Sequence, residues 1–360
     1  MPPATSFRLV DRPDSRDATA DMDLDQAHGY DLSTMDSAEV TEGSEIFGYR
    51  LEQVIGKGGM GTVFRATQLS LGREVAVKLL NPARIRNPAQ IDAFLREARA
   101  AGRLNHPHLV LVHDAHADAE RGLYGYSMEY VPGQTLSRMV KERGVLARSS
   151  ALHIVYQIAK ALGHAHRYGL VHRDVKPDNI LVMAGGVAKL ADLGLVRDRL
   201  EGLTPTNASG KLLTLVGTTD YSAPEQSRNP ERATAASDVW SLGAVLFFML
   251  VGRPPFSGET VIDQIVRTAT EPLQCPPGMH EECRTLCAQM LAKDPNERYP
   301  DGHAVVAALE NLAKGQPLRA TTSLPAKVEG PHEDQADAAE SAAAASDKPH
   351  LKRRPRRRRQ

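Results

Sequence analysis

The strongest constraint on the fold is one short segment that concentrates charged and polar side chains in the middle of the chain. It reads His172-Arg173-Asp174-Val175-Lys176-Pro177-Asp178-Asn179. Each acid in this segment, taken alone, fits a solvated loop. Taken together, so many charged groups at these offsets would repel one another or stay unpaired unless the fold gathered them around a shared partner. We therefore expect the chain to fold around a site at this segment.

Charge is distributed unevenly along a chain whose formal net charge is +0. The first 45 residues are rich in Asp and Glu, whereas the last ones are basic from Lys352 to Arg359. Ends of opposite sign on a neutral body indicate flexible tails. We expect 1–45 and 315–360 to be disordered, because neither shows much periodic hydrophobicity. The basic end could bind an anionic partner (nucleic acid, lipid or an acidic protein) or could be a solvated tail.

The cysteines and the longest apolar run bear on the compartment. The chain has three cysteines, Cys275, Cys283 and Cys287, which do not form a disulfide framework and fit a reducing compartment. A zinc site at these cysteines would fit no common ligand spacing. The longest apolar run, Ala244 to Val251, is far shorter than the ~18–20 residues that a membrane span needs. We expect a soluble cytoplasmic protein without a transmembrane segment.

Hydrophobic periodicity predicts an α+β fold in two parts. A sheet-rich part with one helix comes first, and a larger helical part follows. The predicted strands are 50–54, 62–67, 74–80, 109–113 and 123–130, with a helix at 90–104. The later helices are 136–143, 147–166, 237–251, 261–268, 281–291 and 302–312. We place the folded domain at 46–314 and divide it near residue 130.

A glycine-rich turn lies between the first two predicted strands. It reads Gly56-Lys57-Gly58-Gly59-Met60-Gly61-Thr62-Val63 and fits G-x-G-x-x-G-x-V. Glycines let a backbone approach phosphate oxygens and present N–H donors. A strand follows the turn, which favours a hairpin over a nucleotide rather than a dinucleotide-binding fold. An ordinary glycine turn without a ligand is the alternative.

A lysine lies inside one of the predicted apolar strands. Val75-Ala76-Val77-Lys78 matches V-A-I-K. An unpaired buried ammonium is costly, so Lys78 needs a partner, and Glu97 on the following helix is the candidate. The alternatives are a lysine at a sheet edge that points to water and a solvated helix glutamate.

These motifs and their order resemble Hanks-type serine/threonine protein kinases, most closely the bacterial members, over about residues 49–313. The resemblance implies a two-lobed fold, with a small antiparallel-sheet N-lobe, one main helix and a helical C-lobe. It implies ATP and Mg²⁺ as cofactors, with Mn²⁺ as an alternative metal. Protein substrates phosphorylated on serine or threonine follow from the same resemblance.

The resemblance also implies roles for the charged residues. Asp174 is similar to the catalytic base, and Lys176 to the lysine beside the transferred phosphate. Lys78, held by Glu97, would bind the α- and β-phosphates. Mg²⁺ ligands are matched by Asn179 and by Asp192. Asp192 belongs to Asp192-Leu193-Gly194, where Leu193 replaces the family's common Phe.

The adenine site and the activation segment are implied in the same way. Positions around adenine are matched by Val63, Ala76, Met128, Glu129, Val131 and Leu181, of which the apolar ones also fit plain core packing. A long segment follows Asp192 and ends in Gly217-Thr218-Thr219-Asp220-Tyr221-Ser222-Ala223-Pro224-Glu225. Thr218 matches a threonine that contacts the catalytic Asp and Lys. Arg173 would receive a phosphate on Thr214, with Ser209 and Thr206 as alternative sites.

Two structural contacts complete the prediction. Glu225 would pair with Arg298, and Asp238 would brace the catalytic loop. Two other classes of protein remain alternatives to a kinase. One is a nucleotide-binding pseudokinase scaffold, which would normally have lost Lys78, Asp174 or Asp192. The other is a small-molecule phosphotransferase, which the Ala-Pro-Glu segment argues against.

Overall fold

The computed structural model describes residues 40–58, 61–81, 88–193 and 220–316 together with Leu318, and all structural statements below concern these residues. They form a six-stranded sheet, a three-stranded sheet and eight α-helices. None of these helices has the length and apolar character to cross a membrane.

The first sheet is antiparallel throughout, in the order β1-β2-β3-β4-β6-β5. Its strands are β1 Glu45–Ile46, β2 Tyr49–Lys57, β3 Gly61–Gln68, β4 Arg73–Leu80, β5 Val112–Asp118 and β6 Leu123–Met128. Helix α1, Pro88–Gly102, packs on one face through Ile91, Phe94 and Ala98. Side chains of β4 alternate between the two faces, so Val75 and Val77 enter a second buried cluster on the other face. This alternation directs Lys78 to the same face as Ala76 and α1.

The helical part is built around one buried helix. The helices after α1 are α2 Leu136–Arg143, α3 Arg148–Arg167, α4 Pro224–Arg228, α5 Ala235–Val251, α6 Val261–Thr270, α7 Glu281–Met290 and α8 Gly302–Ala313. Helix α5 is apolar on nearly all sides, as expected of a helix enclosed by others. Gly243 allows close contact with α7, since a Cβ there would lie 2.7 Å from Met290 Cβ. The small sheet carries β7 Gly133–Thr135, β8 Ile180–Met183 and β9 Ala188–Leu190.

The strand predicted at 109–113 is wrong in position, because β5 runs from Val112 to Asp118. The apolar residues before it serve a different contact. Val110 N donates to Leu190 O at 2.9 Å, and Leu190 N donates to His108 O at 2.9 Å. The loop after α1 thus pairs with β9 of the helical part. The apolar residues before β5 are therefore buried between the two parts of the chain. The strand β5 itself is polar because it lies at the edge of the sheet.

The predicted start of the domain at residue 46 is placed too late. Gly43 N donates to Leu51 O at 2.7 Å, and Val54 N donates to Glu42 Oε1 at 2.9 Å. Residues 40–45 therefore belong to the sheet-rich part. Most of the predicted tails, 1–45 and 315–360, lies outside the described residues, which include only 40–45, 315, 316 and 318 of them.

Candidate active site

Residues 172–179, here called the catalytic loop, lie between α3 and β8. They bring three polar side chains together. Asp174 Oδ2 accepts hydrogen bonds from Lys176 Nζ at 2.8 Å and from Asn179 Nδ2 at 2.9 Å. Asn179 Nδ2 also donates to Asp174 O at 2.8 Å. A 3-10 turn at Pro177–Asn179 returns the chain toward Asp174. The carboxylate of Asp174 is therefore fixed in orientation by its own loop.

Asp238 braces this loop from helix α5. Its buried carboxylate accepts hydrogen bonds from the backbone N–H groups of His172 and Arg173, each at 2.7 Å. His166 Nε2 lies 2.9 Å from the same carboxylate. Arg173 has φ +67°, which costs a non-glycine residue about 1–3 kcal/mol and persists only where the surroundings fix it. The two hydrogen bonds to Asp238 supply that constraint, in the position where the sequence analysis expected a brace.

Lys78 and Asp192 form an ion pair that joins the two parts of the chain. Lys78 Nζ lies 2.7 Å from Asp192 Oδ1, with side chains 12% and 32% exposed. Burial disfavours the charged amine, but Asp192, Tyr126 and Glu97 together outweigh it and raise the pKa of Lys78. Burial likewise opposes ionisation of Asp192, but Lys78, with Tyr126 and His172, outweighs it and lowers the pKa of that carboxyl. Both groups are therefore charged at neutral pH.

The structure corrects the expected partner of Lys78. The sequence predicts Glu97 as the partner, whereas the ion pair in the structure is with Asp192. Glu97 is buried on α1. Its carboxylate contributes less to the raised pKa of Lys78 than Asp192 and Tyr126 do. Spacing along the sequence cannot distinguish these two acids, because both reach the same face of the sheet.

Hydrogen bonds tie Asp192 to the catalytic loop through its neighbour Ala191. Ala191 N donates to Asn179 O at 2.8 Å, and His172 Nε2 lies 3.1 Å from Ala191 O. Since a carbonyl only accepts, the His172 proton is on Nε2, and burial lowers the pKa of this ring. The backbone next to Asp192 is thus held against the loop that carries Asp174. Asp192 itself has φ +55°, a second strained backbone position at the site.

The donor atoms at the site suit a hard divalent cation. Asn179 turns Nδ2 toward Asp174, which leaves its carbonyl oxygen Oδ1 for a cation. Asp192 adds a carboxylate, and Mg²⁺ is typically held by one or two such groups with phosphates and water. Within the described ranges, no group of three His, Cys, Asp or Glu side chains could hold a metal alone. The site therefore fits a cation that arrives with an anionic ligand rather than a complete protein cage.

The glycine hairpin joins β2 to β3, and β3 pairs with the strand that carries Lys78. Gly56 and Lys57 end β2, and Gly58 N donates to Gly61 O at 2.9 Å across the turn. Gly61 must be a glycine, because a Cβ there would lie 2.1 Å from Leu79 O. Two residues of the motif, Gly59 and Met60, lie outside the described residues.

The expected adenine-site residues lie on both sides of the segment that joins the two parts. In strand register, Val63 is opposite Lys78 and Ala76 is opposite Met128. Cross-strand partners share a face, so these apolar side chains lie beside the lysine. Beyond the sheet, Val131 is buried and Leu181 lies on β8.

Glu129, which follows β6, contacts both parts of the chain. Glu129 N donates to Leu111 O at 2.8 Å. Its carboxylate accepts a hydrogen bond from Lys189 Nζ of β9 at 2.9 Å. This pair fixes the connecting segment against the small sheet, and sequence reasoning did not identify Lys189.

Glu225 and Arg298 form a buried pair below the site. Arg298 Nη1 lies 2.7 Å from Glu225 Oε1, with side chains 0% and 16% exposed. Nearby, Gln226 Nε2 donates to Arg173 O at 2.6 Å, a second contact that sequence reasoning missed. The predicted Thr214 and Thr218, with Gly194, lie outside the described residues.

The largest omission of the sequence analysis is Tyr126. Its hydroxyl donates to Asp192 Oδ1 at 3.1 Å. It lies opposite Lys78 in the strand register, and its ring lies 5.3 Å from that of Phe94 on α1. The register of β4 and β6 places Tyr126 on the face that carries Lys78. Without that register, the sequence does not identify this tyrosine as part of the site.

Comparisons with known proteins agree with this geometry. The protein kinase domain family matches residues 49–308. The curated relative named serine/threonine-protein kinases PknA of Corynebacterium glutamicum is 34% identical over 296 residues, 81% of this chain and 62% of that protein. The serine/threonine-protein kinase PknB of Mycobacterium tuberculosis is 36% identical over 281 residues, 76% of this chain and 44% of that protein.

A solved structure shows the same fold. The crystal structure of Rad53 residues 1–466 in complex with AMP-PNP has a TM-score of 0.58 at 28% identity, over 72% of this chain and 64% of that one. This chain spans 62% and 44% of the length of the two curated relatives. The chain belongs to the protein kinase family, as a Hanks-type member similar to these bacterial kinases.

Proposed function

We propose that the chain is a serine/threonine protein kinase, which transfers the γ-phosphoryl group of ATP to serine or threonine hydroxyls of protein substrates. The observation that carries the proposal is the arrangement of two linked pairs: Lys78 contacts Asp192, and Asn179 contacts Asp174. The backbone hydrogen bond from Ala191 N to Asn179 O holds the two pairs together. The names of the curated relatives support serine and threonine as acceptors. The ATP analogue in the Rad53 structure supports an adenine nucleotide as donor.

The residues supply the two things that phosphoryl transfer needs, which are positioning and cationic stabilisation. Asp174 would orient the substrate hydroxyl and accept its proton. Its carboxylate is already held by Lys176 and Asn179, so little reorganisation is needed. Lys176 would also stabilise the transferred phosphate. Lys78 would contact the α- and β-phosphates with a permanently charged amine.

A divalent metal ion completes the site when it is bound with ATP. We propose Mg²⁺, with Mn²⁺ as an alternative, held by Asn179 Oδ1 and the Asp192 carboxylate. The ion supplies neutralisation of the triphosphate charge. Asp192 enters this role ionised, because Lys78 lowers the pKa of its carboxyl.

A transfer assay tests the proposal. The protein is incubated with γ-labelled ATP, Mg²⁺ and a generic basic protein in buffer, and phosphoamino acids are identified after hydrolysis. We expect phosphoserine or phosphothreonine, with a loss of about 10²–10⁴-fold in rate for Asp174→Asn because the general base is removed. ATP binding without transfer would indicate a pseudokinase, and label confined to small molecules would indicate a small-molecule phosphotransferase.

Regulation by autophosphorylation is part of the same proposal. Phosphate on Thr214 would pair with Arg173, whose backbone conformation is fixed by Asp238. Phosphopeptide mapping of protein incubated with ATP should find phosphate on Thr214, and Thr214→Ala should lower activity. Full activity of Thr214→Ala together with no phosphate at this residue would contradict this mode of regulation. We also place the kinase in the cytoplasm, where ATP and reducing conditions coexist.

A further inference from the structure

The carboxylate oxygen Asp192 Oδ1 accepts hydrogen bonds from two donors of different kinds. Lys78 Nζ donates at 2.7 Å and Tyr126 OH donates at 3.1 Å. One donor is a cation and the other is neutral. Among contacts between described residues, the hydrogen bonds to the Asp192 side chain fall on Oδ1. The second oxygen, Oδ2, is thus the one that the arrangement leaves for a metal ion.

Tyr126 is held rigidly enough to orient its partner. Its side chain is buried on β6, directly opposite Lys78 of β4. Its ring lies 5.3 Å from the ring of Phe94 on α1, and Lys78 Nζ lies 5.7 Å from its centroid. Strand pairing and ring packing together fix the position of the hydroxyl.

The two donors have different fates if the chain binds ATP, a step that rests on the proposed function. Lys78 must then share its amine with phosphate oxygens, which weakens its hold on Asp192. A tyrosine hydroxyl has no charge to attract phosphate or repel a cation, so it can keep its bond. Asp192 needs such a constraint, because its backbone at φ +55° is intrinsically unfavourable.

We propose that Tyr126 is a positioning residue that fixes Asp192 Oδ1 and so presents Oδ2 to the divalent cation. Groups that orient a metal ligand commonly change metal affinity or activity by about 10–100-fold when they are removed. The role belongs to the hydroxyl and not to the ring, which packs against α1 in either case. Loss of the hydroxyl should therefore weaken cation binding while nucleotide binding without metal is preserved.

The test compares Tyr126→Phe with Tyr156→Phe. Each substitution removes one tyrosine hydroxyl that donates to a carboxylate, since Tyr156 OH donates to Glu310 Oε1 at 3.0 Å on the surface of the helical part. Mn²⁺ binding to the full chain with saturating AMP-PNP is measured by electron paramagnetic resonance. Binding of AMP-PNP in EDTA is measured by calorimetry. We expect Mn²⁺ affinity to fall about 10-fold in Tyr126→Phe and to be unchanged in Tyr156→Phe.

Kinetics give a second readout. In Tyr126→Phe the Mg²⁺ concentration for half-maximal rate should rise about 10-fold. The rate lost at low Mg²⁺ concentration should be partly recovered at saturating Mg²⁺. Mn²⁺ affinity within twofold of wild type in a folded Tyr126→Phe protein would overturn the inference. Should Tyr126→Phe not fold, Tyr126→Met, which also fills the space without a hydroxyl, is measured in the same way. Failure of wild type to bind Mn²⁺ with AMP-PNP would instead refute the proposed function.

Discussion

Replacement of Arg298 by methionine tests whether the pair with Glu225 stabilises the fold through burial. Arg298 is fully enclosed, and its guanidinium donates to both oxygens of Glu225 at 2.7 and 2.9 Å. It also donates to three backbone carbonyls, of Ala236, Ala292 and Lys293. Methionine fills a similar volume but donates nothing. The substitution therefore leaves a mostly buried carboxylate and three carbonyl groups without these donors.

The expected magnitude follows from that geometry. Removal of one partner of a buried pair costs about 3–5 kcal/mol, because the other charge stays buried and uncompensated. An ion pair of the same length contributes much less to the free energy of unfolding when it is exposed to solvent. Arg138 Nε lies 2.7 Å from Glu142 Oε1, with side chains 69% and 47% exposed. An exposed pair of this kind contributes about 0.3–0.5 kcal/mol.

Urea unfolding of Arg298→Met and Arg138→Met, followed by circular dichroism, measures both free energies. We expect a loss of about 3–5 kcal/mol for Arg298→Met and under about 1 kcal/mol for Arg138→Met. Thermal midpoints should fall by roughly 10 °C and by less than about 2 °C, respectively. The double variant with Glu225→Gln should lose less than the sum of the two single variants, since they act on one pair.

The reasoning would be refuted by equal losses in the two arginine variants. Equal losses would mean that the distance between the charges, and not their burial, determines the effect. An additive double variant would likewise show that Arg298 acts through its backbone contacts alone.

Three further predictions concern the site and its supports. Asp238→Asn replaces one carboxylate oxygen with an NH₂ group, which cannot accept a hydrogen bond from the backbone N–H of His172 or Arg173. Because the loop loses part of its support, kcat in the transfer assay should fall about tenfold or more. Gly61→Ala places a Cβ 2.1 Å from Leu79 O, and urea unfolding should show a loss of at least about 1–3 kcal/mol. Burial, with His108 and His164, lowers the pKa of His106 from its ordinary 6.5 to about 4. The free energy of unfolding should therefore fall as pH falls from 6.5 to 4, and titration of His106→Asn should show a flatter profile.

Local sequence was sufficient for the parts of the site that depend on neighbouring residues. The resemblance to protein kinases located Gly61, Lys78 and the loop from His172 to Asn179, because each matches a motif with particular residue types at fixed offsets. The helix predicted at 237–251 lies within α5, but its burial on nearly all sides is a finding of the structure.

Contacts between distant segments could not be predicted in the same way. Lys78 could reach either Glu97 or Asp192, and the choice depends on how the two parts of the chain pack. Tyr126 was not singled out, because nothing in its sequence neighbourhood points to residue 192. The predicted position of the polar edge strand β5 was wrong for a related reason. Hydrophobic periodicity indicates which residues are buried, but it does not indicate which segments pair as strands.

The brace at Asp238 has a consequence for how the protein matures. The loop that contains Asp174 is synthesised well before α5, yet its backbone at Arg173 relies on a carboxylate that α5 provides. A nascent chain that ends before residue 238 would carry Asp174, the proposed base, in a loop free to relax, because the unfavourable φ would have no compensation. The proposed transfer activity should therefore depend on assembly of the helical part.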